Sequence, residues 1–242
     1  MNPVVRVVST VALAATGFFT IYAFQTLPAN AQLAIHWDIN GVADGFAGRE
    51  ALFILPAVFA LTAALILLAI KLDPKRANIV RSAEAIGYVG MGLVLLFAVT
   101  QSAIINSGFG ETARLDHAAP IALGAFFALL GYALSQIKQN YTIGVRLPWT
   151  LESEKAWDAA HAFAGRAWIS VGLTTAGLAA IPENVLDLGG APIAMLLGGL
   201  ALSIVAAIVI AYRTWRDDTR PTRPKRPTRP KRRTVRTRLT AR

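Results

Sequence analysis

Long runs of apolar residues, separated by short polar segments, dominate this chain. Six of these runs are close to the roughly 20 helical residues that cross the hydrocarbon core of a bilayer. The fifth run is the least apolar, and Arg166 stands at its edge. The pattern predicts an all-α fold, a polytopic transmembrane helical bundle of about six spans. The runs lie at about 7–27, 51–70, 85–105, 118–137, 167–185 and 192–212.

Lysine and arginine are unevenly divided between the two sets of loops. With six spans, both termini lie on the same side as loops 71–84 and 138–166. That side holds nine Lys and Arg even without the C-terminal tail, whereas the opposite side holds only Arg49 and Arg114. The positive-inside rule therefore predicts a multi-pass protein of the cell inner (plasma) membrane with both termini in the cytoplasm. The loops on the opposite, extracytoplasmic side are 28–50, 106–117 and 182–191.

The overall composition agrees with a membrane protein. Hydrophobic residues make up 55% of the chain and charged residues only 16%, and the mean hydropathy is +0.49. A soluble protein carries about 25% charged residues. The chain has no cysteine, which excludes disulfides, thiolate nucleophiles and cysteine-ligated zinc.

The formal net charge of +10 belongs to one tail. Thirteen of the 24 Lys and Arg, but only two of the 14 Asp and Glu, lie between Arg213 and Arg242. Regular prolines in "TRPTRPKRPTRPKRR" oppose a helix, and the tail has too few apolar residues to form a core. The sequence predicts a membrane domain at 1–213 and a disordered basic tail at 214–242 that contacts anionic lipid. Specific nucleic-acid binding is not expected, because no aromatic residues are interleaved with the bases.

The first extracytoplasmic loop, 28–50, contains the sequence "AIHWDINGVADG". Strand-like alternation followed by Asn-Gly and Asp-Gly dipeptides predicts a short hairpin. A metal site is the weaker interpretation, because such a site needs three or four ligands and few are nearby. An interfacial tryptophan flanked by hydrogen-bonded loop residues is favoured, and no cofactor is expected. The candidate ligand-binding residues here are His36, Trp37, Asp38, Gly41, Asp44 and Gly45.

A second polar segment, "TIGVRLPWTLESEKAWDAAH", occupies residues 142–161. Its glycine and proline predict an irregular start, and Thr150 or Ser153 is the expected N-cap of a following interfacial helix. That helix would place its Trp and His on one stripe and lead into the fifth span. The segment is either an aromatic belt with capping acids, or a cytoplasmic docking surface or lid. The candidate partner-binding residues are Asn140, Gly144, Arg146, Pro148, Trp149, Thr150, Trp157 and His161.

These two segments together resemble the SdpI family, the bacterial membrane immunity proteins for the Sdp peptide toxin. The cytoplasmic segment is similar to the family's I-G-[IV]-R-x-P-W-T motif, followed by a spaced Trp and His; Val145 and Leu147 replace the usual Ile and Thr. The loop is similar to H-W-[ND]-x-x-G, without the proline that often precedes the histidine. The resemblance covers about residues 10–213 and excludes the basic tail.

The resemblance implies a non-enzymatic protein that confers immunity to a membrane-active peptide toxin. Loop 28–50 would then meet an extracellular peptide. Loop 138–166 would report to a cytoplasmic transcriptional regulator, since the founding member is thought to sequester a repressor at the membrane.

Two other functional classes have less support in the sequence. A small-molecule transporter would need ionisable residues within its spans, and only Glu84 and Arg166 lie at span borders. Solute flux that depends on Gln101 or Glu84 would favour that alternative. An intramembrane enzyme would need a cluster of His, Glu and Asp at one depth. A structure that places His36, Asp38 and the Asp116–His117 pair within a few ångströms of one another would favour that alternative. The chain has no P-loop, G-x-G-x-x-G or H-E-x-x-H motif.

Overall fold

A computed structural model describes residues 2–111 and 115–220. This part of the chain folds into eight α-helices and one two-stranded antiparallel hairpin, with a 3₁₀ helix after the hairpin. The helices are α1 Pro3–Thr26, α2 Ile54–Leu72, α3 Arg76–Arg81, α4 Ala83–Gly108, α5 Ala118–Leu134, α6 Pro148–Glu152, α7 Glu154–Ala179 and α8 Ala191–Asp218. The strands are β1 Gln32–Trp37 and β2 Ala43–Gly48, and the 3₁₀ helix is Arg49–Phe53.

The helices support the membrane bundle that the sequence predicts. Within the described residues, four stretches are long and apolar enough to cross a bilayer: α1, the 3₁₀ helix with α2, α4 and α8. Helix α5 is apolar but has only 17 residues. Helix α7 has 26 residues and begins with polar turns. The all-α membrane fold is confirmed, and each of the six predicted runs lies mainly within a helix.

The two motif-bearing segments lie at opposite ends of the bundle. The hairpin follows the C-terminal end of α1, and the amide of Ala34 donates to the Ser107 hydroxyl near the end of α4 at 2.9 Å. Segment 138–153 lies at the other end, where the last residue of α8, Asp218, accepts a hydrogen bond from Ser153 at 2.8 Å. Helix α8 runs five residues past the predicted domain boundary at 213; the tail beyond residue 220 is outside the described residues.

A buried glutamine ties three elements together at the hairpin end of the bundle. The Gln101 side chain on α4 is fully buried, and its Nε2 donates to the Thr20 hydroxyl on α1 at 3.1 Å and to the Leu52 carbonyl at 2.9 Å. A hydrogen bond in an apolar environment is strengthened by the low local dielectric. Both hydrogens of the Gln101 side-chain amide are donated to neighbouring elements of the bundle. This polar residue of the third predicted span therefore has a structural role.

Helices α5 and α7 cross backbone to backbone at two antiparallel glycine pairs. A Cβ on Gly124 would lie 2.5 Å from the Gly172 carbonyl oxygen, and a Cβ on Gly131 would lie 2.6 Å from the Gly165 carbonyl oxygen. Small residues at such crossings permit the close approach that stabilises helix pairs in membranes. Since each pair is seven residues from the next on its own helix, the glycines share one face.

Replacing one of these glycines should separate the two helices. We expect Gly172→Ala to cost about 1–3 kcal/mol through overpacking, because the new methyl would meet Gly124 backbone oxygen at 2.4 Å. Gly177→Ala is the matched control on the same helix, since a Cβ there has no neighbour within 4 Å. The apparent Tm in detergent micelles should fall for the first variant and stay constant or rise for the second. Equal effects of the two variants would contradict this packing.

Candidate functional site

His161 organises the irregular segment that precedes α6. Its Nε2 accepts a hydrogen bond from the Val145 amide at 3.0 Å, and its Nδ1 lies 2.8 Å from the Trp157 carbonyl oxygen. A neutral imidazole protonated at Nδ1 satisfies both contacts, because it donates to the carbonyl and accepts from the amide. His161 lies before the predicted span 167–185, and burial lowers its pKa to about 4. The ring is therefore neutral at physiological pH.

Trp157 covers the other side of this histidine. The two rings stack with centroids 3.9 Å apart and an interplanar angle of 16°. The indole Nε1 donates to the Ile137 carbonyl at 2.8 Å, which joins α7 to the end of α5. Both side chains are almost completely buried. The predicted stripe on α7 is confirmed as a buried face.

At Gly144 the backbone of the irregular segment packs directly against these two rings. Its φ is +128°, a conformation that side-chain-bearing residues rarely adopt. A Cβ there would lie 2.4 Å from His161 Nε2 and 2.8 Å from Trp157 Cη2. The glycine is required both by its backbone angle and by the two rings that it touches.

Two further candidate residues hold the same segment from within. The Asn140 side chain accepts hydrogen bonds from the amides of Thr142 and Ile143, at 2.8 and 2.6 Å, and donates to backbone carbonyls. The Thr150 hydroxyl accepts from the Leu147 amide at 2.8 Å and lies 2.8 Å from the Val145 carbonyl oxygen. Both side chains are fully buried, so they build the segment and do not present a surface.

Asp73 and Lys75, which follow α2, hold this segment on the bundle together with Gln139 of the segment itself. Asp73 is buried, and its carboxylate accepts from the Tyr141 amide at 2.9 Å and the Thr142 hydroxyl at 2.7 Å. Gln139 donates to the Thr150 carbonyl at 2.7 Å and accepts a hydrogen bond from Lys75. These three anchoring residues have no signal in the sequence, because their partners are 64 or more residues away or are backbone atoms.

The remaining candidates lie nearer the surface. Arg146 and Pro148 are exposed, and the Arg146 guanidinium donates to the Tyr141 carbonyl at 2.6 Å. Trp149 is half-buried and meets the Tyr212 ring edge to face at 5.7 Å. Of the eight residues predicted for partner binding, these three are the ones that a partner would reach most directly.

The expected N-caps have different outcomes. Ser153 caps α7, because its hydroxyl accepts a hydrogen bond from the Ala156 amide at 3.1 Å. Thr150 is not an N-cap and lies inside α6. The reason is Pro148, whose fixed φ suits the first helical position and starts a short helix before Thr150. Helix α7 then continues from Glu154 into the fifth predicted run, as expected.

The hairpin contains the six candidate residues of loop 28–50. His36 Nδ1 and Asp44 Oδ1 are 2.5 Å apart on an exposed surface. Gly45 is paired with His36, and a Cβ on it would lie 2.9 Å from the His36 Cβ. Trp37 is half-buried and packs against the apolar cluster around Leu27 and Leu33. The predicted hairpin is confirmed.

Asp38 and Gly41 shape the tip of the hairpin. The Asp38 carboxylate accepts hydrogen bonds from the Asn40 and Val42 amides, each at 2.9 Å. These bonds, led by that from Val42, hold the pKa of Asp38 below its usual value. Gly41 has a φ of +74°, and a Cβ there would lie 2.2 Å from the Asp116 backbone nitrogen. The tip therefore rests directly on the backbone that leads into α5.

Comparison with known proteins agrees with the resemblance seen in the sequence. Residues 136–213 match the SdpI/YfhL protein family, and residues 11–60 match a domain of unknown function, DUF1648. The chain is 25% identical over 174 residues to "Immunity protein SdpI" of Bacillus subtilis (strain 168), an alignment that covers 72% of this chain and 80% of that protein. No solved structure matches the chain. The similarity to the SdpI family is thus confirmed.

Gly144 lies too close to the two stacked rings for any side chain to fit, so replacing it should destabilise the protein. We expect Gly144→Ala to lower stability by about 2 kcal/mol or more, because the backbone angle and the collision with His161 and Trp157 are both unfavourable. The apparent Tm, followed by near-UV circular dichroism in detergent, should fall by several degrees.

Gly110→Ala is the matched control, because it measures the cost of placing a side chain at a positive φ without the collision with the two rings. Gly110 also has a positive φ, of +84°, but a Cβ there would have no neighbour within 4 Å. We expect a smaller loss of stability for this variant than for Gly144→Ala. A loss as large as that of Gly144→Ala would show that the ring contacts contribute nothing.

Proposed function

We propose that this protein is a membrane protein of the SdpI type that confers immunity to a membrane-active peptide toxin. The observation that carries the proposal is the match of residues 136–213 to the SdpI/YfhL family. The 25% identity to Immunity protein SdpI across 80% of that protein extends the similarity beyond those residues. On the basis of the same two matches, we propose that the protein confers immunity without catalysing a reaction.

The proposed toxin-facing surface is the hairpin. The lysine and arginine distribution favours an orientation in which this end of the bundle faces outward. Four apolar side chains on or next to the strands that carry the His36–Asp44 pair are between 42% and 57% exposed. Such a patch suits a peptide that has an apolar face, because burying these side chains on binding is favourable. The four residues are Ile35, Ile39, Val42 and Phe46.

The proposed reporting surface lies at the opposite, cytoplasmic end. Arg146, Pro148 and Trp149 form the accessible part of the segment whose buried part is held by His161. Arginine and tryptophan are enriched where proteins bind one another. We propose that a cytoplasmic transcriptional regulator docks on these three residues, which would relay the presence of the toxin.

A survival assay tests the immunity proposal. The chain would be expressed in a Bacillus subtilis strain that lacks its own SdpI and is challenged with the Sdp peptide toxin. We expect survival at least tenfold above that of cells carrying an empty vector. Phe46→Ala should reduce this protection, whereas Arg146→Ala should leave protection intact and reduce only the expression of a reporter controlled by the regulator.

The control for Phe46 is Phe109→Ala. Phe109 is 50% exposed and lies at the same end of the bundle, directly after α4. It should retain wild-type protection at equal abundance in the membrane fraction. The immunity proposal fails if the wild-type chain reaches normal membrane abundance and gives no protection. The assignment of the hairpin as the toxin-facing surface fails if the two phenylalanine variants behave alike.

A further inference from the structure

Three potential metal ligands converge beside the hairpin tip, outside the site described above. Asp116 and His117 lie directly before α5, and Glu183 follows α7. One ligand atom of each residue lies within 4.8 Å of the others, and His117 Nε2 is 3.8 Å from Glu183 Oε1. The sequence places His117 directly after Asp116, but nothing in the sequence links that pair to Glu183, because residues 117 and 183 are far apart in the chain.

His117 is held in the orientation that a metal ligand requires. Its Nδ1 lies 2.6 Å from the Ala179 carbonyl oxygen at the end of α7, so this nitrogen donates a hydrogen bond. In the neutral imidazole the proton is therefore on Nδ1, and the lone pair of Nε2 lies on the side of Glu183. Backbone carbonyls commonly fix metal-binding histidines in this way.

The cluster lines a cavity with room for an ion and its water ligands. The cavity has a volume of about 260 Å³, and Asn40 from the hairpin and Asp187 from the loop before α8 also line it. Three acidic residues and one histidine thus line the same cavity. Because the tip of the hairpin contacts the Asp116 backbone, an ion here would join all three loops at this end of the bundle.

We infer that Asp116, His117 and Glu183 form a binding site for one divalent transition-metal ion of the Zn²⁺ class. One nitrogen and two oxygen ligands suit Zn²⁺, with water in the fourth position. Tetrahedral bonds of about 2.0–2.2 Å place ligand atoms roughly 3.3–3.6 Å apart, so the three side chains need to close by about 1 Å. Glu183 and His117 are each near half exposed and have the freedom to do so. Asp116 and Glu183 have other interactions as well, with which the ion would compete.

Zinc binding by the full-length protein in detergent micelles tests this inference. The protein would carry no polyhistidine tag and would be stripped with EDTA, then titrated with ZnCl₂ by calorimetry, with bound zinc counted after dialysis. We expect one equivalent of zinc and a higher apparent Tm when it is bound. His117→Ala and Glu183→Gln should each weaken the affinity at least tenfold and abolish the zinc-dependent rise in Tm.

His36→Ala is the control, because it removes an exposed histidine at the same end of the bundle. It should keep one equivalent of zinc at wild-type affinity. Near-UV circular dichroism would check that Glu183→Gln, the milder ligand variant, folds like the wild type. Failure of the wild type to bind zinc would overturn the inference. So would affinity that is unchanged in both ligand variants, or affinity that is lost in His36→Ala.

Discussion

The hydrogen bond from the Val145 amide to Nε2 of His161 is the contact on which the polar end of the bundle depends. It fixes an irregular stretch of backbone to a helix, and it exists only if the imidazole is neutral and protonated at Nδ1. The burial of the site keeps the ring neutral, and the Trp157 indole stacks on it. Gly144 allows the backbone to pass close enough for the bond to form. The Val145 amide, the two buried rings and Gly144 thus together maintain one backbone geometry.

The irregular segment is held in a fixed position because α7, to which it is bonded, is itself packed closely against α5. The paired glycines bring α5 and α7 into backbone contact, and the Trp157 indole binds the end of α5 next to that crossing. The irregular segment therefore rests on a fixed helix pair and projects Arg146 and Pro148 from it. At the other end, Gln101 joins α1, α4 and the 3₁₀ helix beneath the hairpin. Both candidate surfaces are loops held by buried polar contacts to helices, an arrangement that suits recognition.

The parts of the fold and of the candidate site that depend on neighbouring residues in the chain were predictable from the sequence. The Asn-Gly and Asp-Gly turns predicted the hairpin, and the spacing of Trp157 and His161 predicted a shared helix face that proved to be buried. Whether these residues formed a surface or a core was not predictable, because that depends on what folds over them. The bond from Thr142 to Asp73, 69 residues away, and the glycine crossing both require knowledge of which helices are neighbours. Thr150 was misassigned because Pro148, two residues earlier, is the stronger helix start.

The protonation state of the His161 ring is the most direct test of this account. Selective ¹⁵N labelling of histidine, with His161 assigned by comparison with a His161→Gln variant, would report both ring nitrogens by NMR in detergent micelles. We expect a neutral ring at pH 7 with the proton on Nδ1, and an unprotonated, hydrogen-bonded Nε2 that remains so at pH 5.5. A proton on Nε2, or a ring that titrates near the ordinary histidine pKa of about 6.5, would contradict it.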